Sequence, residues 1–334
     1  MPIAMAAGRD LQVLQQLYDY DVEAIAADVN QQANLTVPLV PWVNWSSDLG
    51  PLQSLRQAFE GSEDWTEAMP TLVELYRQRG VGRFGNYWAF RWQQGQLVGL
   101  AHPDPVALQD LVGYEWQQQA LVKNTESLLN GHSALNVLLY GSRGTGKSSL
   151  VKGLLSRYGP QGLRLVEIAK ADLQDLPLVV EQVRSIPQKF IFFVDDLSFE
   201  ADEEQFKALK VVLEGSITAR PSNVVVYATS NRRHLIREYF SDRPAPRDQD
   251  ELFNWDTVQE KLSFSDRFGL TLTFEPTDQD TYLKIVSHLA QAQDIHLDPD
   301  QLKFRALQWA TQQNGRSGRT ARQFIDFLTG EQPA

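Results

Sequence analysis

Gly141-Ser142-Arg143-Gly144-Thr145-Gly146-Lys147-Ser148-Ser149 decides how the rest of the chain is read. The stretch fits the pattern G-x-x-x-x-G-K-[ST]. Leu135, Val137, Leu138, Leu139 and Tyr140 precede it and read as a strand, and Leu150-Val151-Lys152-Gly153-Leu154-Leu155 follows and reads as a helix. Strand, glycine-rich loop and helix in that order are the context in which this pattern cradles phosphate. The glycines let successive backbone N–H groups turn inward. A helix beginning near Lys147 adds further N–H groups and the positive end of its dipole. In that frame Gly141 to Ser149 hold a nucleoside triphosphate, Lys147 reaches its β- and γ-phosphates, and the Ser148 hydroxyl binds Mg²⁺. A glycine-rich turn with no ligand is the plainer alternative; chance yields such a match in roughly one of a hundred chains of this size.

Composition narrows the class. The 334 residues are 43% hydrophobic and 22% charged, which suits a globular chain of more than one domain. Cysteine is absent, which excludes disulfides, thiolate metal sites and cysteine nucleophiles. The histidines show no metal-ligand spacing such as H-E-x-x-H. The start, Met1 to Asp10, has neither the basic residues nor the apolar stretch of a secretory signal, and no apolar run approaches the ~20 residues needed to span a bilayer. The expectation is a cytoplasmic protein with no membrane segment. The formal net charge of −11 speaks against broad nucleic-acid binding and leaves room for a local basic patch.

Three regions follow along the chain. Residues 1–95 read as a mostly helical domain with a suggested partner-docking role. Leu11, Leu14, Leu17, Tyr18, Val22, Ile25 and Val29 approximate helical spacing, and further helices are expected near 51–60 and 66–79. Val37-Pro38-Leu39-Val40-Pro41-Trp42 must be extended, because each proline disfavours helix at the residue before it. Tyr87–Trp92, Gln93-Gln94-Gly95-Gln96 and Leu97–Leu100 read as a hairpin or linker. Trp42, Trp45, Trp65, Trp88 and Trp92 either build a small core from large rings or form an aromatic docking surface; the first is the simpler reading.

Residues 96–275 alternate strand and helix patterns, which makes the fold class α/β with a parallel sheet. The strands are expected at 135–140, 163–169, 189–195, 223–230 and 270–274. Val137–Tyr140, Phe190–Val194 and Val224–Tyr227 are continuously apolar, as strands buried on both faces should be. Leu163-Arg164-Leu165-Val166-Glu167-Ile168 is broken by charge and Leu270-Thr271-Leu272-Thr273-Phe274 alternates, so these two are expected at the edges. Residues 276–334 read as a helical lid, with helices over 277–293, 299–313 (capped by Asp298) and 320–329.

The strand ends supply the candidate chemistry. Asp195 and Asp196 close an apolar strand where α/β sheets bind ligands. Asp195 is placed on the Mg²⁺, and Asp196 orients or deprotonates the attacking water. Asn231 closes the neighbouring strand, within reach of the γ-phosphate or that water. Arg267, before the last strand, is placed to reach a neighbouring subunit's γ-phosphate. Arg319 and Arg322 open the last helix and are both candidates to fold the lid over the phosphates. Arg232, Arg233, His234, Arg237, Arg243 and Arg247 form a cluster that either contacts nucleic acid or an acidic partner, or simply pairs with Glu238, Asp242 and Asp248.

Together these residues resemble an AAA+ ATPase over about 105–330. In the terms of that family, Gly141–Ser148 is the Walker A loop, Phe190–Asp196 the Walker B strand, Asn231 sensor 1, Arg267 the arginine finger and Arg319/Arg322 sensor 2. The wording Val194-Asp195-Asp196-Leu197-Ser198-Phe199, Ala228-Thr229-Ser230-Asn231-Arg232-Arg233-His234-Leu235 and Leu262-Ser263-Phe264-Ser265-Asp266-Arg267-Phe268-Gly269-Leu270 is similar to an uncharacterised bacterial AAA+ family known only as a domain of unknown function. The resemblance implies a P-loop NTPase of AAA+ type with a five-stranded parallel sheet in the order 5-1-4-3-2, helices on both faces, ATP and Mg²⁺ as ligands, and a nucleotide-dependent homo-oligomer. Two departures stand out. AAA+ Walker B strands usually end Asp-Glu; the shorter Asp196 points to slow turnover or to help from Glu200, and is similar to helicase loaders and transposition-helper ATPases. Lys170–Leu178 lacks the aromatic–apolar–glycine pore loop of protein-threading unfoldases. The expected function is ATP-driven remodelling of a macromolecular client. The alternatives are a nucleic-acid-associated loader and a nucleotide-gated binding module with little turnover.

Overall fold

The structure is a computed structural model that describes residues 2–33, 37, 52–197, 209–210, 212–213, 221–231, 267–313 and 315–331. Contacts divide the chain into two units, Met1–Arg77 and Gln78–Ala334.

In the first unit, helices α1 (Pro2–Tyr18) and α3 (Gln53–Glu60) pack against a 3₁₀ turn at Trp65–Ala68, and α2 (Val22–Ala33) and the start of α4 (Met69–Arg79) complete its helices. The single apolar stripe read from Leu11 to Val29 is two helices, because Asp21 accepts the Ala24 N–H at 2.9 Å and starts a new one. Gln15 ties α1 to the turn: its Nε2 donates to Glu63 O and its Oε1 accepts from Trp65 N, both at 2.9 Å. The Trp65 ring lies 5.2 Å from Tyr18 and 4.8 Å from Phe59. Val37 apart, residues 34–51, with Trp42 and Trp45, lie outside the described residues.

The second unit is built on a seven-stranded sheet. After α5 (Arg83–Asn86) come β1 (Ala89–Gln93), β2 (Gln96–Leu100) and α6 (Glu115–Leu129). Then follow β3 (Val137–Gly141), α7 (Lys147–Tyr158), β4 (Leu163–Glu167), α8 (Leu176–Val183), β5 (Lys189–Val194), β6 (Val224–Ser230) and β7 (Leu270–Phe274). The order is β2-β1-β4-β5-β6-β3-β7, parallel throughout except for the β1–β2 hairpin. The run β7-β3-β6-β5-β4 is the expected 5-1-4-3-2 order, and the fold is of AAA+ P-loop type.

Two expectations are corrected. The sheet has seven strands and not five, and β4 is internal. The hairpin turns tightly at Gln94 and Gly95, both at positive φ, and β1 then pairs with β4 from Ala89↔Leu165 to Arg91↔Glu167. Phe90, Trp92 and Leu97 are thereby buried. The charge that suggested an edge, Arg164, is fully buried. It donates to the carbonyls of Phe84 (2.8 Å), Gly159 (3.0 Å), Leu163 (2.8 Å) and Arg79, so backbone oxygens take the place of water.

Alternation along the central strands fills two cores. Phe190, Phe192 and Val194 of β5 face α8 through Val179, Val180 and Val183, whereas Ile191 and Phe193 face α6 and α7 through Leu121, Leu150 and Leu154. Burying each such side chain contributes about 1.5–3 kcal/mol. β7 alternates and is an end strand, as expected. Beyond it α9 (Gln279–Ala292), α10 (Pro299–Gln312) and α11 (Gly318–Glu331) pack around Tyr282, Val286, Ala306, Phe324 and Ile325, a core of their own. Asp278 caps α9 through Thr281 N at 2.8 Å, and Asp298 caps α10 through Asp300 N and Gln301 N.

Candidate functional site

Parallel strands bring their C-terminal ends together, and the glycine-rich loop leaves β3 there. Gly141 has φ +138, and a Cβ on it would collide with the Phe274 carbonyl of β7, which also accepts the Ser142 N–H at 3.0 Å. Only glycine fits. Gly144, at φ +76, has the lid against it: a Cβ there would fall 2.8 Å from Ser317 Oγ, and Arg319 N donates to Gly144 O at 3.3 Å. The loop is therefore clamped between β7 and the first turn of α11.

Lys147 begins α7 with its side chain turned into the loop. It is 6% exposed, and Nζ donates to Gly141 O (2.9 Å), Ser142 O (2.7 Å) and Asn231 Oδ1 (3.3 Å). Burial pushes its pKa down, opposed by Asp195 and Asp196. Ser148 Oγ donates to Asp195 Oδ1 at 2.7 Å. A hydroxyl and a carboxylate are hard oxygen donors of the kind Mg²⁺ takes, leaving room for water and phosphate, so these residues fit that ion. Asn231 Nδ2 donates to Asp196 Oδ1 at 2.7 Å, so one amide links the lysine to the second carboxylate.

A cleft of about 650 Å³ collects these groups. Arg143 to Ser149, Asp195, Asp196, Asn231, Arg319 and Arg322 all line it, so both lid arginines reach the same space as the loop. Gly141 and Ser142 shape it from behind through the bonds to Lys147. Arg267 is not brought in. It lies before Leu270, which pairs with Val137 at the end of β3 remote from the loop. Ser198 to Glu200 and the arginine cluster at 232–247 lie outside the described residues.

Other cleft residues escaped the sequence reading. Val106, Leu111, Val112, Tyr114, Ile285 and Leu289 form an apolar side. Gln118 Nε2 holds the Leu111 and Gly113 carbonyls at 2.5 and 3.1 Å, and the Tyr114 hydroxyl donates to Glu275 O at 2.5 Å, at the start of the lid. A glycine before a helix that itself precedes the glycine-rich loop was the available signal. Thr229, also at the cleft, had none.

Residues 85–332 match the family described as "Protein of unknown function (DUF815)". The chain belongs to this family. No curated protein matches it by sequence. Among solved structures it is similar to the RuvB Holliday junction branch migration motor of Thermotoga maritima, with 12% identity, 67% of this chain and 72% of that one covered, and a TM-score of 0.43. A variant of the same RuvB gives 14% identity with the same coverage and TM-score. A DNA replication initiation factor gives 17% identity, 67% and 64% coverage, and a TM-score of 0.41. Among the described residues no helix is long and apolar enough to cross a membrane.

Proposed function

We propose that the chain binds ATP with Mg²⁺ in this cleft and hydrolyses it slowly, as an oligomer, to remodel a macromolecular client. The observation that carries the reading is the convergence of Lys147, the Ser148–Asp195 pair and both lid arginines on one cleft. Lys147 takes the β- and γ-phosphates, exchanging its carbonyl and Asn231 partners for phosphate oxygens. Ser148 and Asp195 would hold the Mg²⁺, which would supply charge neutralisation at the phosphate oxygens. Asp196 accepts the proton of the attacking water, and Asn231 orients that water or the γ-phosphate. The apolar side takes the base. Arg319 and Arg322 close the lid on the phosphates, and Arg267 serves the neighbouring subunit's site.

Calorimetric titration tests the base of this reading: no heat with any nucleoside triphosphate would overturn it. The shared site is tested by hydrolysis against protein concentration. Specific activity should rise with concentration, and Arg267→Ala should lower turnover by about 10³-fold or more while binding persists. Concentration-independent activity with Arg267→Ala as active as wild type would defeat it.

One observation favours a second reading, a nucleotide-gated binding module with little turnover. Asp196 is a methylene shorter than glutamate, and its carboxylate is engaged by Asn231. Rapid multiple turnover abolished by Asp196→Asn would exclude it.

A further inference from the structure

We infer that Thr229 is a positioning residue that sets both carboxylates of the Asp195–Asp196 turn through a single hydroxyl. The inference rests on the ATP·Mg²⁺ reading of the cleft and goes beyond it, because no role in phosphate or metal binding falls to Thr229 itself.

Thr229 is the penultimate residue of β6, 2% exposed. β5 and β6 run in register to Val194↔Ala228, so Thr229 stands beside Asp195 where the ladder ends. Its Oγ1 lies 2.5 Å from Asp195 Oδ1 and 2.9 Å from Asp196 N. The directions are fixed by chemistry. An ionised carboxylate only accepts and a backbone N–H only donates, so the hydroxyl proton goes to Asp195 and an oxygen lone pair takes the Asp196 N–H. The Thr229 carbonyl accepts Leu197 N at 2.7 Å. One residue thus holds three successive positions of the turn.

Two consequences follow. Ser148 Oγ, from α7, and Thr229 Oγ1, from β6, both donate to the same oxygen, Oδ1, and neither bond uses Oδ2. Two side-chain donors on one oxygen fix the carboxylate in rotation. Second, Asp196 sits at φ +52, a left-handed conformation that a residue with a side chain adopts only when its surroundings enforce it. The Thr229 bonds to Asp196 N and Leu197 N enforce it, and the turn brings the Asp196 carboxylate to Asn231. Packing alone does not ask for a hydroxyl here. Val224, Val225, Val226 and Ala228 fill the same strand, and valine has the shape of threonine.

The test is the Mg²⁺ dependence of ATP binding, read with a fluorescent ATP analogue in wild type, Thr229→Val and Thr229→Ser, with melting of the nucleotide-free proteins as the folding control. In Thr229→Val the Mg²⁺ concentration for half-maximal tightening should rise about tenfold to a hundredfold, the usual cost of losing a partner of a metal ligand. Affinity in EDTA should be unchanged, and Thr229→Ser, which keeps the hydroxyl, should restore the wild-type Mg²⁺ curve. In an Asp195→Asn background Thr229→Val should add no further shift. Should the valine chain not fold, Thr229→Ala against Thr229→Ser isolates the hydroxyl in the same way. Equal Mg²⁺ curves for wild type and Thr229→Val would overturn the inference. So would serine as impaired as the hydroxyl-free variants, or an additive shift in the Asp195→Asn background. A wild type that binds no nucleotide would overturn the ATP reading, and this inference with it.

Discussion

Lys147 and Arg164 are both buried cations of the second unit, and they do opposite things. Arg164 is fully buried and surrounded by backbone carbonyl oxygens. Burial pushes its pKa down to about 10. Its donors are committed to the backbone of Arg79, Phe84 and Gly159, and Arg79 and Gly159 stand at or just beyond the C-terminal ends of α4 and α7, where helix dipoles present negative charge. Lys147 also donates to carbonyls, but it faces Asp195, Asp196 and an open cleft. The first cation is committed to architecture, and the second can exchange its partners for an anion. What separates them is whether a cleft and a carboxylate share the charge's surroundings.

Three substitutions sharpen that contrast, in order of expected size. Arg164→Met should be the most damaging. It strips buried carbonyls of their donor, at a cost of about 3 kcal/mol or more, measured by urea unfolding. Molecules of that variant that remain folded should still bind nucleotide. Lys147→Ala should behave in the reverse way. ATP with Mg²⁺ at ~100 times Kd should stabilise wild type by roughly 2.7 kcal/mol, and the variant should lose most of that shift while its nucleotide-free stability stays within about 1 kcal/mol of wild type. Smallest is Asn231→Ala, which removes one of three acceptors from Lys147 and the partner of Asp196. It should cost about 1 kcal/mol in nucleotide-free stability, with its larger effect in turnover. Loss of nucleotide-induced stabilisation in Arg164→Met, or its retention in Lys147→Ala, would break the contrast.

The same pair shows what the sequence makes legible. The loop, the buried strands and the Asp298-capped lid helix each follow from local rules: glycine spacing, unbroken apolar runs, an aspartate before a helix; the strand order comes from the family resemblance. Those rules also gather Lys147, Ser148, Asp195, Asn231 and the lid arginines at one cleft. The failures are non-local. Arg164 reads as an edge marker because charge in a strand usually meets water, and here backbone from elements far away in the chain replaces it. Residues 87–100 read only as a hairpin or linker, because nothing in them names β4 as a partner. Thr229 is silent because a threonine in an apolar strand is ordinary until its neighbours are known.

The place of β3 in the sheet has a consequence for how the protein is made. The strand that carries the phosphate loop pairs with β6 and β7, the last two described strands to leave the ribosome, and Gly141 and Ser142 meet Phe274 at the end of β7. Such long-range pairing is slow, and its β7 half must wait until the chain has passed Phe274. A nascent polypeptide that has already exposed its glycine-rich motif still lacks the Phe274 carbonyl that holds the Ser142 N–H, and a truncation product ending before β7 never acquires it.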